Sequence, residues 1–157
     1  MRSTYAVTLL VLIAGGIWLE WISLSLIFPA QSQAQTAIPT VELVVDGGEV
    51  AKGFGFGFDG QKLSSPGPTI TVKTGDVVKI TLKNVGATAH AFAVTPEKDD
   101  KSPILFKSNV GTGARPLTPG QDGIVAFKAD KAGSYYYICP VPGHAILGMW
   151  GEFKVEG

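Results

Sequence analysis

The sequence predicts an all-β sandwich of seven to eight short strands. Three observations carry that prediction. Apolar residues recur with a period of two from about residue 40 onward; turns marked by glycine and proline separate these runs; and no stretch in that region has a helical period. The composition, with 20 glycines and many valines, threonines and aromatics, suits a small β domain with many turns.

The elements follow in chain order. Residues 1–34 read as a targeting segment. Arg2 supplies a positive start, an apolar stretch runs from Tyr5 to Phe28, and Ser32-Gln33-Ala34 offers small residues for cleavage. The apolar stretch is also long enough to serve as an uncleaved membrane anchor, although Glu20 would then sit at a cost within the bilayer. Either way the chain is expected to be exported. Residues 35–39 close a polar, alanine-rich linker that begins near Gln31, and residues 40–157 form the folded domain.

Within the domain, Val41, Leu43 and Val45 alternate with Glu42 and Val44. Ile70 and Val72 flank Thr71, and Val78, Ile80 and Leu82 alternate with Lys79, Thr81 and Lys83. His90, Phe92 and Val94 share a face, as do Val125 and Phe127, while Phe153 and Val155 point inward between Glu152 and Lys154. Turns are expected at Asp46-Gly47-Gly48, Pro66-Gly67-Pro68, Thr74-Gly75-Asp76, Thr118-Pro119-Gly120 and Ala132-Gly133. Long loops are expected over Glu97–Ser102 and Asn109–Gly123. A single sheet would leave an apolar face wet, so two antiparallel sheets should pack face to face. The run Gly53-Phe54-Gly55-Phe56-Gly57-Phe58 puts three rings on one face of a strand. Core filling, with glycine allowing close backbone approach, is the plain reading, and an exposed aromatic docking strip is the other.

Lysine plus arginine equals aspartate plus glutamate, 13 each, which removes any global field that would draw the chain to nucleic acid. Cys139 is the single cysteine, so no intramolecular disulfide can form, and something else must occupy the thiol or stabilise the fold.

The chemistry concentrates in Cys139-Pro-Val-Pro-Gly-His144-Ala-Ile-Leu-Gly-Met149. A strand that ends at Cys139, a loop shaped by proline and glycine, and a return strand from Trp150 would gather a thiolate, an imidazole and a thioether around one point. His90 is the only other histidine and supplies the fourth donor. Two imidazoles, a thiolate and a weak thioether suit copper cycling between Cu(I) and Cu(II), whereas zinc prefers four strong donors. Each residue alone is more often structural, a buried cysteine or a gap-filling methionine. Together, with the only cysteine and both histidines involved, accident is a poor account.

The segment Gly133 to Gly151 resembles the C-terminal copper loop of cupredoxins, most closely the rusticyanin and sulfocyanin type with its Cys-x4-His-x4-Met spacing. Upstream, Val72 to Asn84 and His90-Ala-Phe92 resemble that family's ligand-bearing strand pair. The resemblance covers about Thr40 to Gly157. It implies a Greek-key sandwich holding one copper ion, with His90, Cys139 and His144 equatorial and Met149 axial. One departure is Ala91, where many relatives carry asparagine or serine that hydrogen-bonds the cysteine loop.

By that resemblance the chain is a one-electron carrier rather than an enzyme, a monomer in the periplasm or thylakoid lumen that meets a cytochrome, a terminal oxidase or a photosynthetic complex. His144 would be the electron port, rimmed by Pro142, Ala145, Ile146 and Leu147. Copper enzymes of the oxidase or nitrite reductase kind need further histidine-rich centres, and no histidines remain for them. A copper-delivery protein is the other alternative, opposed by the retention expected of a buried thiolate site.

Overall fold

The computed structural model describes residues 38–157, so the targeting segment and the linker up to residue 37 lie outside the described residues. Eight strands follow: β1 (Val41–Val50), β2 (Gly53–Phe58), β3 (Gly67–Lys73), β4 (Val77–Asn84), β5 (Ala93–Thr95), β6 (Asp122–Lys128), β7 (Gly133–Ile138) and β8 (Trp150–Glu156). They form two four-stranded sheets, ordered β2-β1-β4-β6 and β3-β8-β7-β5. The all-β sandwich is therefore present, with no helix among the described residues.

The expected alternation is visible in burial. Val78, Ile80 and Leu82 of β4 are buried, as are Ile70 and Val72 of β3 and Phe153 and Val155 of β8, while Glu152 and Lys154 face water. Aromatic rings join the two sheets. The Phe56 ring of β2 lies 5.2 Å from that of Tyr137 in β7, and Phe127 of β6 lies 6.0 Å from Phe153 of β8. Burial denies the Tyr137 hydroxyl water and pushes its pKa up; the hydroxyl donates to the Pro68 carbonyl at 2.6 Å.

Three expectations need correction. The sheets are mixed rather than purely antiparallel, because β1 pairs with β4 and β3 with β8 in parallel. The chain crosses from one sheet to the other between β2 and β3, β3 and β4, β4 and β5, β5 and β6, and β6 and β7, and a strand re-entering a sheet after a crossover can run in its earlier direction.

Asp46-Gly47-Gly48 is not a turn but the middle of β1, with the reversal instead at Ala51-Lys52. The glycines serve close packing. A Cβ on Gly47 would lie 3.0 Å from Met149 Cε, and one on Gly48 3.2 Å from the Gly86 backbone. Buried Asp46 accepts a hydrogen bond from the Gly60 N–H at 2.6 Å.

The strand expected across His90–Val94 shrinks to Ala93–Thr95. His90 and Phe92 instead make isolated bridges to Leu117 and Val110 in the long loop, which buries both faces of this segment.

The Gly-Phe strand divides in role. Phe56 is fully buried and Phe58 packs against the core, as core filling requires. Their glycine face lets the 61–64 backbone approach, with Phe56 N donating to Ser64 O at 3.1 Å. Phe54 belongs to the site described below. Phe56→Ala should lower the stability of the metal-free domain by about 3–5 kcal/mol in urea unfolding, whereas Ile124→Ala, at a side chain 65% exposed, should change it by no more than about 0.5 kcal/mol.

Candidate metal centre

Strand β7 ends at Ile138, so Cys139 follows directly at the end of the strand, and its side chain is buried. The loop that follows is closed by its own backbone. His144 N donates to Val141 O at 3.0 Å, Met149 N to His144 O at 2.9 Å, and Cys139 N to Met149 O at 3.0 Å. These bonds hold three of the four predicted donor residues on one short turn. His90 comes from the other side of the chain, pinned to the 109–121 loop by a reciprocal pair with Leu117 at 3.0 and 2.8 Å.

The ligand atoms offered by His90, Cys139 and His144 all lie within 4.8 Å of one another. Cys139 Sγ is 3.5 Å from His144 Nδ1, and the two imidazole centroids are 5.1 Å apart. Met149 is fully buried beside them, its methyl end against Gly47. The four residues singled out in the sequence are thus brought together.

The electrostatics suit a metal. His90 is fully buried, and its Nδ1 has no hydrogen-bond partner. A buried polar atom left unpaired costs free energy, and an ion on that lone pair removes the cost. Burial lowers the pKa of both imidazoles, for His144 with help from nearby His90 and for His90 against the pull of Glu49. Both rings are therefore neutral donors at neutral pH.

Burial pushes the Cys139 thiol up to about 11, opposed by the backbone N–H groups of Ala91 and Val141. A metal must displace that proton to gain a thiolate. Two imidazoles, one sulfur that ionises on binding and one thioether form a set that fits copper, and zinc would make little use of Met149.

Several residues around the site were not legible as such. Phe54 lies with its ring stacked on His144, centroids 3.9 Å apart and planes 12° from parallel, and meets His90 edge-on at 5.5 Å. Its alternation with Phe56 hid this, since one strand face serves both core and site. Asp100, from the charged excursion, accepts the Gly143 N–H at 2.8 Å and so fastens the ligand loop. Glu49 accepts from Ala87 N, Thr88 N and the Thr88 hydroxyl at 2.8, 2.9 and 2.6 Å. The Thr88 hydroxyl leads in holding its carboxyl at about 2, against some desolvation.

At Ala91 the family's side-chain tie is absent, and the backbone takes its place. Ala91 N–H points at Cys139 Sγ from 3.4 Å. The 109–121 loop fills the space beside it, since a Cβ on Gly111 would lie 3.4 Å from that of Ala91 and one on Gly113 would strike the Pro140 carbonyl.

Residues 55–156 match the model of the copper binding proteins, plastocyanin/azurin family. Rusticyanin of Acidithiobacillus ferrooxidans is 33% identical over 94 residues, 57% of this chain and 50% of that protein. A copper-containing nitrite reductase of Alcaligenes xylosoxydans xylosoxydans is 33% identical over 96 residues, 59% of this chain and 27% of the reductase. The chain thus spans half or less of these relatives. Among solved structures, rusticyanin from Thiobacillus ferrooxidans superposes with a TM-score of 0.54 at 25% identity, covering 76% of this chain and 79% of that one. The match of the family model across nearly the whole β domain, with His90, Cys139, His144 and Met149 positioned to hold one copper, makes this chain a member of the plastocyanin/azurin family of copper-binding proteins, a cupredoxin.

Proposed function

We propose that this protein is an exported one-electron carrier whose single type 1 copper is bound by His90, Cys139, His144 and Met149. The observation that carries the reading is the convergence of donor atoms from His90, Cys139 and His144 within 4.8 Å, with His90 Nδ1 buried and without a partner. When bound, copper supplies a centre that gains and loses one electron as Cu(I) and Cu(II). The chain's task is to keep the donors still while that charge changes. Backbone bonds within the 139–149 loop, the Asp100 clasp and the His90–Leu117 pair all serve it.

His144 is the exit. Its ring is half-buried, and beside it Ile146 and Leu147 are 79% and 54% exposed. Pro142 is exposed as well, but Ala145 is buried, so the apolar rim consists of Pro142, Ile146 and Leu147. An uncharged rim suits brief docking with a redox partner. A cytochrome, a terminal oxidase or a photosynthetic complex fits that role.

The likeness to nitrite reductase does not make the chain an enzyme. The sequence holds two histidines, both in this cluster, which leaves none for a second copper centre. Oxidase and reductase chemistry on copper draws on such further centres.

Copper(II) added to the purified protein should give an intense thiolate-to-copper colour that vanishes on reduction and is lost in Cys139→Ser; a colourless wild-type complex would overturn the reading. Leu147→Lys should retain the colour and slow electron exchange with the partner, measured by stopped flow. Phe54→Ala should also stay coloured but lower the midpoint potential in voltammetry, because water admitted beside His144 favours the more highly charged Cu(II) state.

A further inference from the structure

Glu49 and Thr88 belong to neither the ligand set nor the core, yet they close on the far side of His90. Glu49 sits near the end of β1, and its carboxylate is held by three donors from the loop ahead of His90: the N–H groups of Ala87 and Thr88 and the Thr88 hydroxyl. An ionised carboxylate only accepts, so at 2.6 Å the Thr88 hydroxyl proton is committed to Glu49. The same hydroxyl oxygen lies 3.4 Å from His90 Nε2, toward which it can then offer only a lone pair. Glu49 Oε1 itself is 3.5 Å from Nε2.

His90 Nε2 therefore faces two acceptors. A proton on Nε2 would serve both and leave Nδ1 as the bare lone pair, and Nδ1 is the buried atom without a partner. No side chain can intrude at this point. A Cβ on Gly86 would lie 2.9 Å from His90 Nε2 and closer still to Glu49 Oε2.

We propose that Glu49, acting directly and through the Thr88 hydroxyl, is the positioning residue that holds His90 in its Nε2-protonated tautomer and biases the bound copper toward Cu(II). The inference rests on the copper reading above. A carboxylate behind a ligating imidazole fixes ring orientation and raises ligand basicity, and its negative charge stabilises the higher charge of Cu(II). Side-chain exposure of 37% at Glu49, against 0% at His90, leaves the charge partly screened.

The test has two arms on the full chain. In the first, long-range proton–nitrogen NMR of the metal-free, nitrogen-15-labelled protein, at a pH where both histidines are neutral, reads the His90 tautomer. The wild type should show the proton on Nε2; Glu49→Leu combined with Thr88→Val, which removes both acceptors, should populate the other tautomer, while Glu49→Gln, which keeps one, should not. A wild-type ring protonated on Nδ1, or a double variant indistinguishable from wild type, would overturn the proposal.

In the second arm, Glu49→Gln keeps an acceptor for Ala87 and Thr88 but removes the charge. It should weaken Cu(II) binding by about tenfold while Cu(I) binding changes much less; equal loss for both ions would mean a merely structural role. Should a variant not fold, the wild-type tautomer still decides. A wild type with the expected tautomer but no blue colour would instead sink the copper reading and spare the tautomer assignment.

Discussion

The closure of the 139–149 loop by the Cys139 N–H bond to Met149 O is the constraint on which the rest of the site depends. It joins the end of β7 to the start of β8, two strands already paired from Gly133↔Val155 to Ile138↔Trp150. The ligand loop is thus an extension of the sheet. A loop held at both ends by a ladder loses little conformational entropy when a metal enters, since folding has already restricted it. This is the physical sense in which the sandwich serves the copper.

His90 is held by a different route. Its segment leaves β4, and a long, glycine-rich loop pairs with it through Leu117 and Val110. That loop buries His90 completely, and burial makes its nitrogens decisive: one finds a hydroxyl and a carboxylate, the other finds nothing. The same loop presses on Ala91 and Pro140, so the missing side-chain tie at position 91 is replaced by backbone contact and by the Asp100 clasp on Gly143.

The β1–β2 hairpin is the third support. Gly47 makes room for Met149, Glu49 stands behind His90, and Phe54 lies flat on His144. One hairpin therefore touches the surroundings of three of the four ligands. Its aromatic strand shows how a period of two can carry different duties, with Phe56 sealed in the core while Phe54, two residues earlier, covers His144.

By itself the sequence determined the strand alternation, the all-β class, and the identity and number of the donors. Residue type and local spacing decide those things: Cys139, His144 and Met149 lie on one loop, and His90 is the only histidine left to complete the set. It misread Asp46-Gly47-Gly48 as a turn because glycine marks turns and tight packing alike, and only a neighbour distant in the chain, Met149, separates the two. Parallel pairing of β1 with β4 and β3 with β8 was equally hidden, since alternation records which face is buried but not which strand lies beside it. The tertiary structure alone decided which nitrogen of His90 has partners, which phenylalanine meets His144, and what stands in for a polar side chain at 91. Those are matters of contact between residues tens of positions apart, and contact at that range is created only when the two sheets close.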